Sequence, residues 1–377
     1  MSDIYQKSLE LHRDHQGKLG VQSKVPLVSR DDLSLAYTPG VAEICRVIAK
    51  DPSEAKKLTL KGNTVAVISD GSAILGLGNL GALAALPVME GKCILFKEFA
   101  GVDAFPICLD TQDEEEIIQT IKNLAPVFGG INLEDISAPR CFKIEERLKQ
   151  ELDIPVMHDD QHGTATVVLA GLINALKVRH HKKEEVRILV NGAGAAGIAI
   201  TKLLLLYGFK DLIVCDRQGA IYDGRAGLSE DKKSLALITN KNKISGDLKE
   251  VIKGTTVFIG VSAPDVLNTE MISQMAPQPI IFALANPVPE INPDLAKQAG
   301  ALIATGRSDY PNQLNNVLAF PGIFRGALDN KVSQITDEML IRAAESLAGL
   351  VEEPKDDYIL PDPFDKRVVK AVAASIY

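Results

Sequence analysis

Residues 187–216, RILVNGAGAAGIAITKLLLLYGFKDLIVCD, constrain the fold more than any other part of this chain. They combine a short apolar strand pattern, three glycines spaced G-x-G-x-x-G, an apolar helix pattern and a second strand pattern. In such a unit the first glycine permits a tight turn, and the second lets the backbone approach a pyrophosphate. The third lets the helix pack closely on its strand. The order of these parts predicts a dinucleotide-binding β-α-β unit.

The glycine turn and the acid that ends the second strand supply the candidate cofactor-binding residues. We expect the pyrophosphate to lie against free N–H groups at the helix start, where the macrodipole favours negative charge. A carboxylate at Asp216 would accept hydrogen bonds from a ribose 2′-hydroxyl, which favours NAD. Arg217 can instead meet a 2′-phosphate, so NADP stays open. The candidates are Gly192, Ala193, Gly194, Ala195, Ala196, Gly197 and Asp216.

Short apolar runs of strand length alternate with helical patterns along most of the 377-residue chain. This alternation predicts an α/β fold, with a doubly wound parallel sheet in the second half. The length favours two domains, which we place at residues 1–162 and 163–377, the second being the Rossmann domain. The strand-like runs are TVAVIS (64–69), KCILF (92–96), FPICL (105–109), GINL (130–133), IPVM (154–157), LIVC (212–215), TVFIG (256–260), PIIFAL (279–284) and ALIAT (301–305).

The composition excludes several classes of partner and compartment. A formal net charge of −8 argues against nucleic acid and anionic membranes as partners. The five widely spaced cysteines lack a C-x-x-C and predict a reduced, cytoplasmic protein. The first residues are charged and have no apolar core, so we expect no signal peptide. The uncharged segment 71–89 contains glycines and a proline and predicts a buried loop and helix rather than a membrane span.

Two acidic pairs follow predicted strands and are candidates for chemistry. Glu134 and Asp135 come after GINL, and Asp159 and Asp160 follow IPVM. The carboxyl ends of parallel strands meet at the ligand-binding edge of a sheet. Carboxylates that converge there repel one another unless a cation joins them, and oxygen ligands suit Mg²⁺ or Mn²⁺. Helix capping by the later pair and a solvated turn at the earlier one explain the spacing equally well.

Eight segments, taken in chain order, resemble the malic enzymes of the short prokaryotic type over almost the whole length. That family oxidatively decarboxylates L-malate to pyruvate and CO₂, using NAD or NADP and a divalent metal. The resemblance therefore implies a substrate and metal domain followed by a nucleotide domain. The segments are SLAYTPGVAE, VISDGSAILGLGNLG, PVMEGK, INLEDI, HDDQHGTA, NGAGAAG, LANPVPE and GRSDYPNQLNNVLAFPG.

The resemblance also implies roles for individual residues. Tyr37 and Lys92 match the family's acid and base positions. Without the resemblance, their sequence context is typical of a packed tyrosine ring and a solvated lysine charge. The remaining roles implied are Mn²⁺ or Mg²⁺ ligands at Glu134, Asp135 and Asp160, with Asp159 beside them, and substrate contacts from Asn286 with Asn315 or Asn316.

The sequence departs from larger family members in two ways. Ala73 stands where those members carry an arginine that pairs with the substrate. We also expect no C-terminal phosphotransacetylase-like domain of the kind that longer bacterial members carry. Because the family generally forms dimers or larger assemblies, the resemblance implies a homodimer with active-site groups supplied by both subunits.

Two other functions fit the nucleotide-binding unit. A 2-hydroxy-acid or amino-acid dehydrogenase would release a keto acid without decarboxylation and would need no metal; the acidic pairs speak against it. A catalytically silent NAD-binding regulator would bind NAD without turnover, and the presence of Tyr37, Lys92 and the three candidate ligands speaks against that.

Overall fold

A computed structural model describes residues 2–377 and contains two sheets that follow each other along the chain. The strands are β1 (Thr64–Ser69), β2 (Asp103–Cys108), β3 (Gly130–Leu133), β4 (Val156–His158), β5 (Arg187–Asn191), β6 (Asp211–Asp216), β7 (Gly219–Ala220), β8 (Val257–Gly260), β9 (Ile280–Ala283) and β10 (Leu302–Thr305).

The α-helices alternate with these strands. They are α1 (Ser2–His15), α2 (Arg30–Ala36), α3 (Val41–Lys50), α4 (Ala55–Leu58), α5 (Ala82–Ala100), α6 (Glu114–Leu124), α7 (Arg140–Glu151), α8 (Asp159–Val178), α9 (Ala195–Leu206), α10 (Glu230–Ile238), α11 (Leu248–Val251), α12 (Thr269–Ser273), α13 (Pro293–Gln298), α14 (Phe320–Asp329), α15 (Asp337–Gly349) and α16 (Arg367–Ala373).

The first sheet has the strand order β2-β1-β3-β4, and all its pairings are parallel. Every residue of β1 is buried, as expected for a strand covered on both faces. Val65 and Val67 pack in the cluster that contains Phe96 of α5, whereas Ile68 packs with Ile117 of α6 on the opposite face. Because successive side chains of β1 point to opposite faces, the strand lies between a layer that contains α5 and a layer that contains α6.

The second sheet has the order β10-β9-β8-β5-β6-β7. Its pairings are parallel except for the short antiparallel β6–β7 pair. The chain leaves β5 through the glycine turn, forms α9 and returns as β6 beside β5. The predicted α/β fold with a doubly wound nucleotide-binding sheet is confirmed.

Helix α8 joins the two halves without a linker. It starts directly after β4, runs for 20 residues and packs against α9 and α15. Residues from both sheets, including Val65 and Ile188, belong to one continuous apolar cluster. The predicted boundary between residues 162 and 163 falls inside this helix and stays a prediction.

The strand predicted at 92–96 is wrong, because these residues lie in the middle of α5. The helix buries Ala85, Met89, Lys92, Cys93, Phe96 and Ala100, a stripe with helical spacing. A short apolar run has no periodicity of its own, so a buried helix turn and a buried strand look alike. The helix predicted within segment 71–89 does form, although residues 75–80 of the preceding loop are exposed rather than buried.

Residues 2–50, which we call the N-terminal arm, lie against the body with little burial. No residue of α2 or α3 is buried. Lys18 ties the arm to α5, since its backbone N–H donates to Glu90 Oε2 at 3.0 Å and its Nζ donates to the Pro87 carbonyl at 2.7 Å. Of the 30 large hydrophobic side chains that are exposed among the described residues, 14 belong to this arm. The arm therefore presents apolar surface that one chain leaves uncovered.

The structure describes the state of the cysteines and the length and apolar character of the helices. All five cysteines are free thiols, and Cys93, Cys141 and Cys215 are buried. Within residues 2–377 no helix combines the length and apolar character needed to cross a bilayer.

Candidate active site

Three carboxylates converge where β3 and β4 end. Glu134 and Asp135 follow β3, and Asp160 lies in the first turn of α8. One oxygen from each lies within 4.8 Å of the others. The backbone N–H of Asp135 donates to Asp160 Oδ2 at 2.8 Å, which fixes the two loops relative to each other. The parallel register of β3 and β4 thus brings together two acidic pairs that are about 25 residues apart in the chain.

Burial and mutual repulsion raise the pKa of each of these carboxyl groups. Loss of hydration and the neighbouring carboxylates raise the pKa of Asp135 to about 8, against 3.8 ordinarily. Burial raises the pKa of Glu134 to about 7, even though Lys92 opposes the change, and raises that of Asp160 to about 6. A cluster that holds negative charge this poorly is complementary to a cation.

Lys92 lies on the buried face of α5, and its amino group contacts two carboxylates of the site. Its Nζ lies 2.5 Å from Asp159 Oδ2 and 3.0 Å from Glu134 Oε1, and 4.3 Å from the centre of the Phe320 ring. Burial alone would lower the pKa of Lys92, but Asp159 and Glu134 more than offset it, so the pKa lies above its usual value.

Two buried carboxylate oxygens of the site have no hydrogen-bond partner among residues 2–377: Asp135 Oδ2 and Asp159 Oδ1. An unpaired buried acceptor is costly, so these oxygens suit a ligand that the protein does not itself provide. Gly163 leaves the room that Asp159 needs, since a Cβ there would lie 1.8 Å from Asp159 Oδ1. The all-oxygen donor set fits Mg²⁺ or Mn²⁺.

A loop from the end of β1 covers the cluster. Its Ala73 N–H donates to the Asp135 carbonyl at 3.0 Å, so position 73 borders the carboxylates. Asp70 anchors the loop by accepting from Arg140 Nη2 at 2.7 Å and from Ser72 Oγ at 2.5 Å. No arginine stands at position 73 to pair with an anion there.

Glu145, on α7, holds the segment that carries Asp159 and Asp160. It is buried and accepts from the His158 backbone N–H and the Gln161 side-chain amide, both at 3.0 Å. His162 Nε2 and Lys149 Nζ lie 2.9 and 2.8 Å from its Oε1. Burial by itself would raise the pKa of Glu145, but His162 and Lys149 hold it far below its usual range. The start of α8 is therefore anchored on a stable carboxylate.

The three predicted substrate-binding asparagines come from the second half of the chain. A Cβ at Gly76, in the covering loop, would lie 2.4 Å from the Asn286 carbonyl, so Asn286 borders that loop. A Cβ at Gly163 would lie 3.3 Å from the Asn316 Cβ, which places Asn316 beside the start of α8. Asn315 instead caps a 3₁₀ turn, since its Oδ1 accepts from the Val317 N–H at 2.9 Å. Asn286 thus borders the covering loop, and Asn316 borders the start of α8.

Tyr37 does not join the cluster within one chain. It follows α2 in the N-terminal arm, its side chain is 67% exposed, and its hydroxyl has no hydrogen-bond partner among the described residues. Lys92 and the carboxylates are in mutual contact without it. Its predicted catalytic role therefore stays a prediction.

The glycine turn has the shape that a pyrophosphate needs. A Cβ at Gly197 would lie 1.8 Å from the Gly192 carbonyl, and Gly192 itself has φ of +125°, so side chains are excluded from both positions. Gly194 faces open space and begins α9 without a side-chain cap. Ala193, Ala195 and Ala196 complete the turn with small side chains. The uncapped N–H groups and the open space fit a bound phosphate.

Asp216 ends β6, as predicted, but its carboxylate is already engaged. Arg225 Nη2 donates to both oxygens at 2.7 and 2.8 Å, and Lys232 Nζ donates to Oδ2 at 2.6 Å. Although burial would raise the pKa of Asp216, Lys232 and Arg225 hold it below its usual value. The carboxylate that was predicted to bind a ribose hydroxyl is thus shared with two cations.

Several supporting residues were missed from the sequence. Asn132 donates to Glu134 Oε2 at 2.9 Å from within β3, and a polar residue in a buried strand was a signal for it. Glu145 lies between Ile144 and Leu148 on the buried stripe of α7, where a carboxylate is unusual. Phe320 gave no signal, because only the tertiary structure brings its ring under Lys92.

Comparisons with known proteins gave matches to both halves of the chain. Residues 16–149 match the family model described as malic enzyme, N-terminal domain, and residues 161–376 match malic enzyme, NAD binding domain. An NAD-dependent malic enzyme of Geobacillus stearothermophilus is 58% identical over 96% of this chain and 76% of its own. A bifunctional malic/malolactic enzyme of Bacillus subtilis is 57% identical over 99% and 92%. The crystal structure of an NAD-dependent malic enzyme from Thermotoga maritima superposes with a TM-score of 0.94, at 52% identity and 98% coverage of both chains.

Proposed function

The chain belongs to the malic enzyme family, and we propose that it oxidatively decarboxylates L-malate to pyruvate and CO₂ with reduction of NAD or NADP. The observation that carries this proposal is the buried contact of Lys92 with Glu134 and Asp159, beside Asp135 and Asp160. It combines a potential base with a cation-binding cluster. The acidic cluster speaks against a dehydrogenase that needs no metal and does not decarboxylate.

We propose that Glu134, Asp135 and Asp160 bind Mn²⁺ or Mg²⁺ and that Asp159 orients Lys92 beside them. The unpartnered Asp135 Oδ2 and the mutual repulsion of the carboxylates support this assignment. When bound, the divalent cation would polarise the C2 oxygen of malate and stabilise the enolate left by loss of CO₂, while the nicotinamide would accept the C2 hydride.

Lys92 accepts the proton of the C2 hydroxyl in this mechanism. Asp159 and Glu134 keep its pKa high, and a cation held by Glu134 would offset part of that effect and so favour the neutral amine that a general base requires. Oxidation at C2 gives oxaloacetate, which loses its C4 carboxylate as CO₂. Tyr37 donates the one proton that C3 of the resulting enolate needs to form pyruvate, and the proton that Lys92 took from the C2 hydroxyl then restores the Tyr37 hydroxyl. Asn286 and Asn316 orient the substrate carboxylates by donating from their amides.

We further propose that the protein is a homodimer in which Tyr37 serves the active site of the other subunit. The exposed apolar side chains of the N-terminal arm support this, since a second copy would cover them. Leu75, Leu77, Leu80 and Leu83, in and after the loop that covers the carboxylates, are exposed as well. A symmetric contact between this segment and the arm would bring Tyr37 toward the carboxylates of the partner.

Mixing two inactive variants tests this arrangement. We expect Tyr37→Phe and Lys92→Ala to be inactive alone and to regain activity when they are unfolded and refolded together. A heterodimer then contains one site with native Lys92 from one chain and native Tyr37 from the other. Each variant refolded alone is the control. If Tyr37 acts within its own chain, both sites of every heterodimer stay defective and mixing restores nothing.

The reaction itself is tested by following reduced-nicotinamide absorbance with L-malate, with NAD or NADP, and with Mn²⁺ or chelator. We expect a signal that requires metal and is matched one for one by pyruvate. Release of oxaloacetate in place of pyruvate, or a signal that chelator leaves unchanged, would overturn the proposal.

The free thiols, three of them buried, support our proposal of a cytoplasmic location.

A further inference from the structure

Glu290 is a buried carboxylate that the proposed mechanism does not use. Its exposed fraction is 0%, and no cationic side chain among residues 2–377 forms an ion pair with it. Its Oε1 accepts from the Ser262 backbone N–H at 3.1 Å, and its Oε2 accepts from the Ala285 backbone N–H at 3.0 Å. Removing a carboxylate from water is costly where no cation lies beside it. Stability alone therefore accounts poorly for an acid at this position.

The two backbone groups that Glu290 binds belong to loops at the ends of neighbouring strands. Residues 261–264 follow β8 and form the β8 loop, and residues 284–289 follow β9 and form the β9 loop. Because β8 and β9 are parallel, both loops lie at the carboxyl edge of the second sheet. A Cβ at Gly260, the last residue of β8, would lie 2.4 Å from Glu290 Cδ. The carboxylate therefore fills the space between the two loops and holds one of them with each oxygen.

The β8 loop borders the crevice in which a dinucleotide is expected. The strand order places β6 on one side of β5 and β8 on the other, so the topology switches between β5 and β8. Ligands of such sheets bind outside the carboxyl ends of the strands at this point. Ser262 Oγ accepts from Asn191 Nδ2 at 2.8 Å. A Cβ at Gly192 would lie 2.5 Å from the Val261 carbonyl oxygen, so the β8 loop is fixed against the glycine turn.

The β9 loop carries Asn286, which we propose to orient the substrate. Ala285, whose N–H Glu290 binds, directly precedes it. The Asn286 carbonyl in turn lies against Gly76 of the loop that covers the carboxylates. Glu290 therefore connects the cofactor side of the crevice to the substrate side through two hydrogen bonds to a carboxylate, which are stronger than bonds between neutral groups. Hydride transfer needs the reacting atoms about 3–3.5 Å apart, so a small shift between the loops slows it.

We propose that Glu290 is a positioning residue whose carboxylate fixes the β8 loop relative to the β9 loop, and that hydride transfer from substrate to cofactor depends on this arrangement. The inference rests on the proposed reaction and deepens it. Glu290 touches neither the substrate nor the cofactor in this role. Loss of its carboxylate should therefore impair the step that needs both loops. It should spare the binding of Mn²⁺ to the carboxylates beside the first sheet and the loss of CO₂ from added oxaloacetate.

Glu290→Gln tests the proposal, because it keeps the size of the side chain and replaces one acceptor oxygen with a donor that faces a backbone N–H. With malate, NAD and Mn²⁺ saturating, we expect hydride transfer measured by stopped-flow absorbance to slow about 30-fold. Decarboxylation of added oxaloacetate, and the affinity for NAD titrated without malate, should each change less than about threefold. Hydrogen exchange at the Ser262 or the Ala285 amide should accelerate in the ligand-free protein, since one of them loses its acceptor.

Gly260→Ala displaces the same carboxylate without removing its charge. The added methyl group would meet the flexible end of the Glu290 side chain, so the fold can accommodate it while the two hydrogen bonds shift. It should show the same selective loss of hydride transfer, and it keeps the proposal testable if Glu290→Gln folds poorly. Glu270→Gln is the matched control, since Glu270 is exposed on α12 in the same half of the chain. It should leave both rates unchanged.

Two results would overturn the role of Glu290. One is hydride transfer at the wild-type rate in both variants. The other is an equal loss of hydride transfer and of oxaloacetate decarboxylation, which a general loss of structure would produce. If the wild type itself fails to oxidise malate, the proposed reaction is disproved instead, and amide exchange still reports whether Glu290 holds the two loops.

Discussion

Lys92→Ala is expected to lower kcat for malate oxidation about 10³-fold while the protein still binds NAD. The variant removes the group proposed to take the C2 hydroxyl proton, and no other described cation contacts both Glu134 and Asp159. Stopped-flow measurement of hydride transfer locates the loss at the chemical step. Added small amines should restore part of the rate, because they can occupy the space left by the lysine side chain and accept the proton.

The control for this variant is Lys97→Ala, on the same helix. Lys97 is 55% exposed and pairs with Asp103 at 2.7 Å, so it shares the residue type and helix but not the site. We expect its activity to stay close to that of the wild type. Full activity of Lys92→Ala would remove Lys92 from the mechanism, and amine rescue separates a proton-transfer role from a purely structural one.

Asp135→Asn is expected to weaken Mn²⁺ binding about 100-fold, measured by the EPR signal of free Mn²⁺. In chelator, the same substitution should raise the melting temperature, because the neutral amide avoids the free-energy cost of burying a carboxyl group, which is ionised in the unfolded chain, among repelling carboxylates. An active-site change that stabilises the metal-free protein while it impairs metal binding distinguishes a ligand from a structural residue. Unchanged Mn²⁺ affinity would contradict the ligand set.

Asp135→Asn also tests how the free energy of unfolding depends on pH. The sign of this dependence follows from the raised pKa of Asp135. In the folded, metal-free protein the pKa of Asp135 is about 8, against 3.8 for the ordinary group, so the folded state binds more protons between these values. The free energy of unfolding in chelator should therefore fall as pH rises from about 4 to about 8. Asp135→Asn should flatten this slope, and saturating Mn²⁺ should reverse the loss. Asp357→Asn, at an exposed position, is the control and should leave the slope unchanged.

Much of the fold could be predicted because its signals are local. The glycines at 192, 194 and 197 have spacing that suits one kind of turn, and the apolar runs of β1, β3, β5 and β9 are short and bounded. The run at 92–96 has the same composition, yet it lies in α5. Nothing within five apolar residues distinguishes a buried helix turn from a buried strand, so tertiary packing decided this element.

The order of residues along the chain specifies which chemical groups are available, and it predicts that Glu134, Asp135 and Asp160 follow neighbouring strands. It does not reveal that Asp159 and Glu134 hold Lys92, that Arg225 and Lys232 share Asp216, or that Tyr37 lies apart in the arm; these contacts depend on the folded arrangement. The physical reason is that the charge and pKa of a buried group depend on neighbours from distant parts of the chain and on exclusion of water. Strand order and helix packing set both, and no local pattern records them.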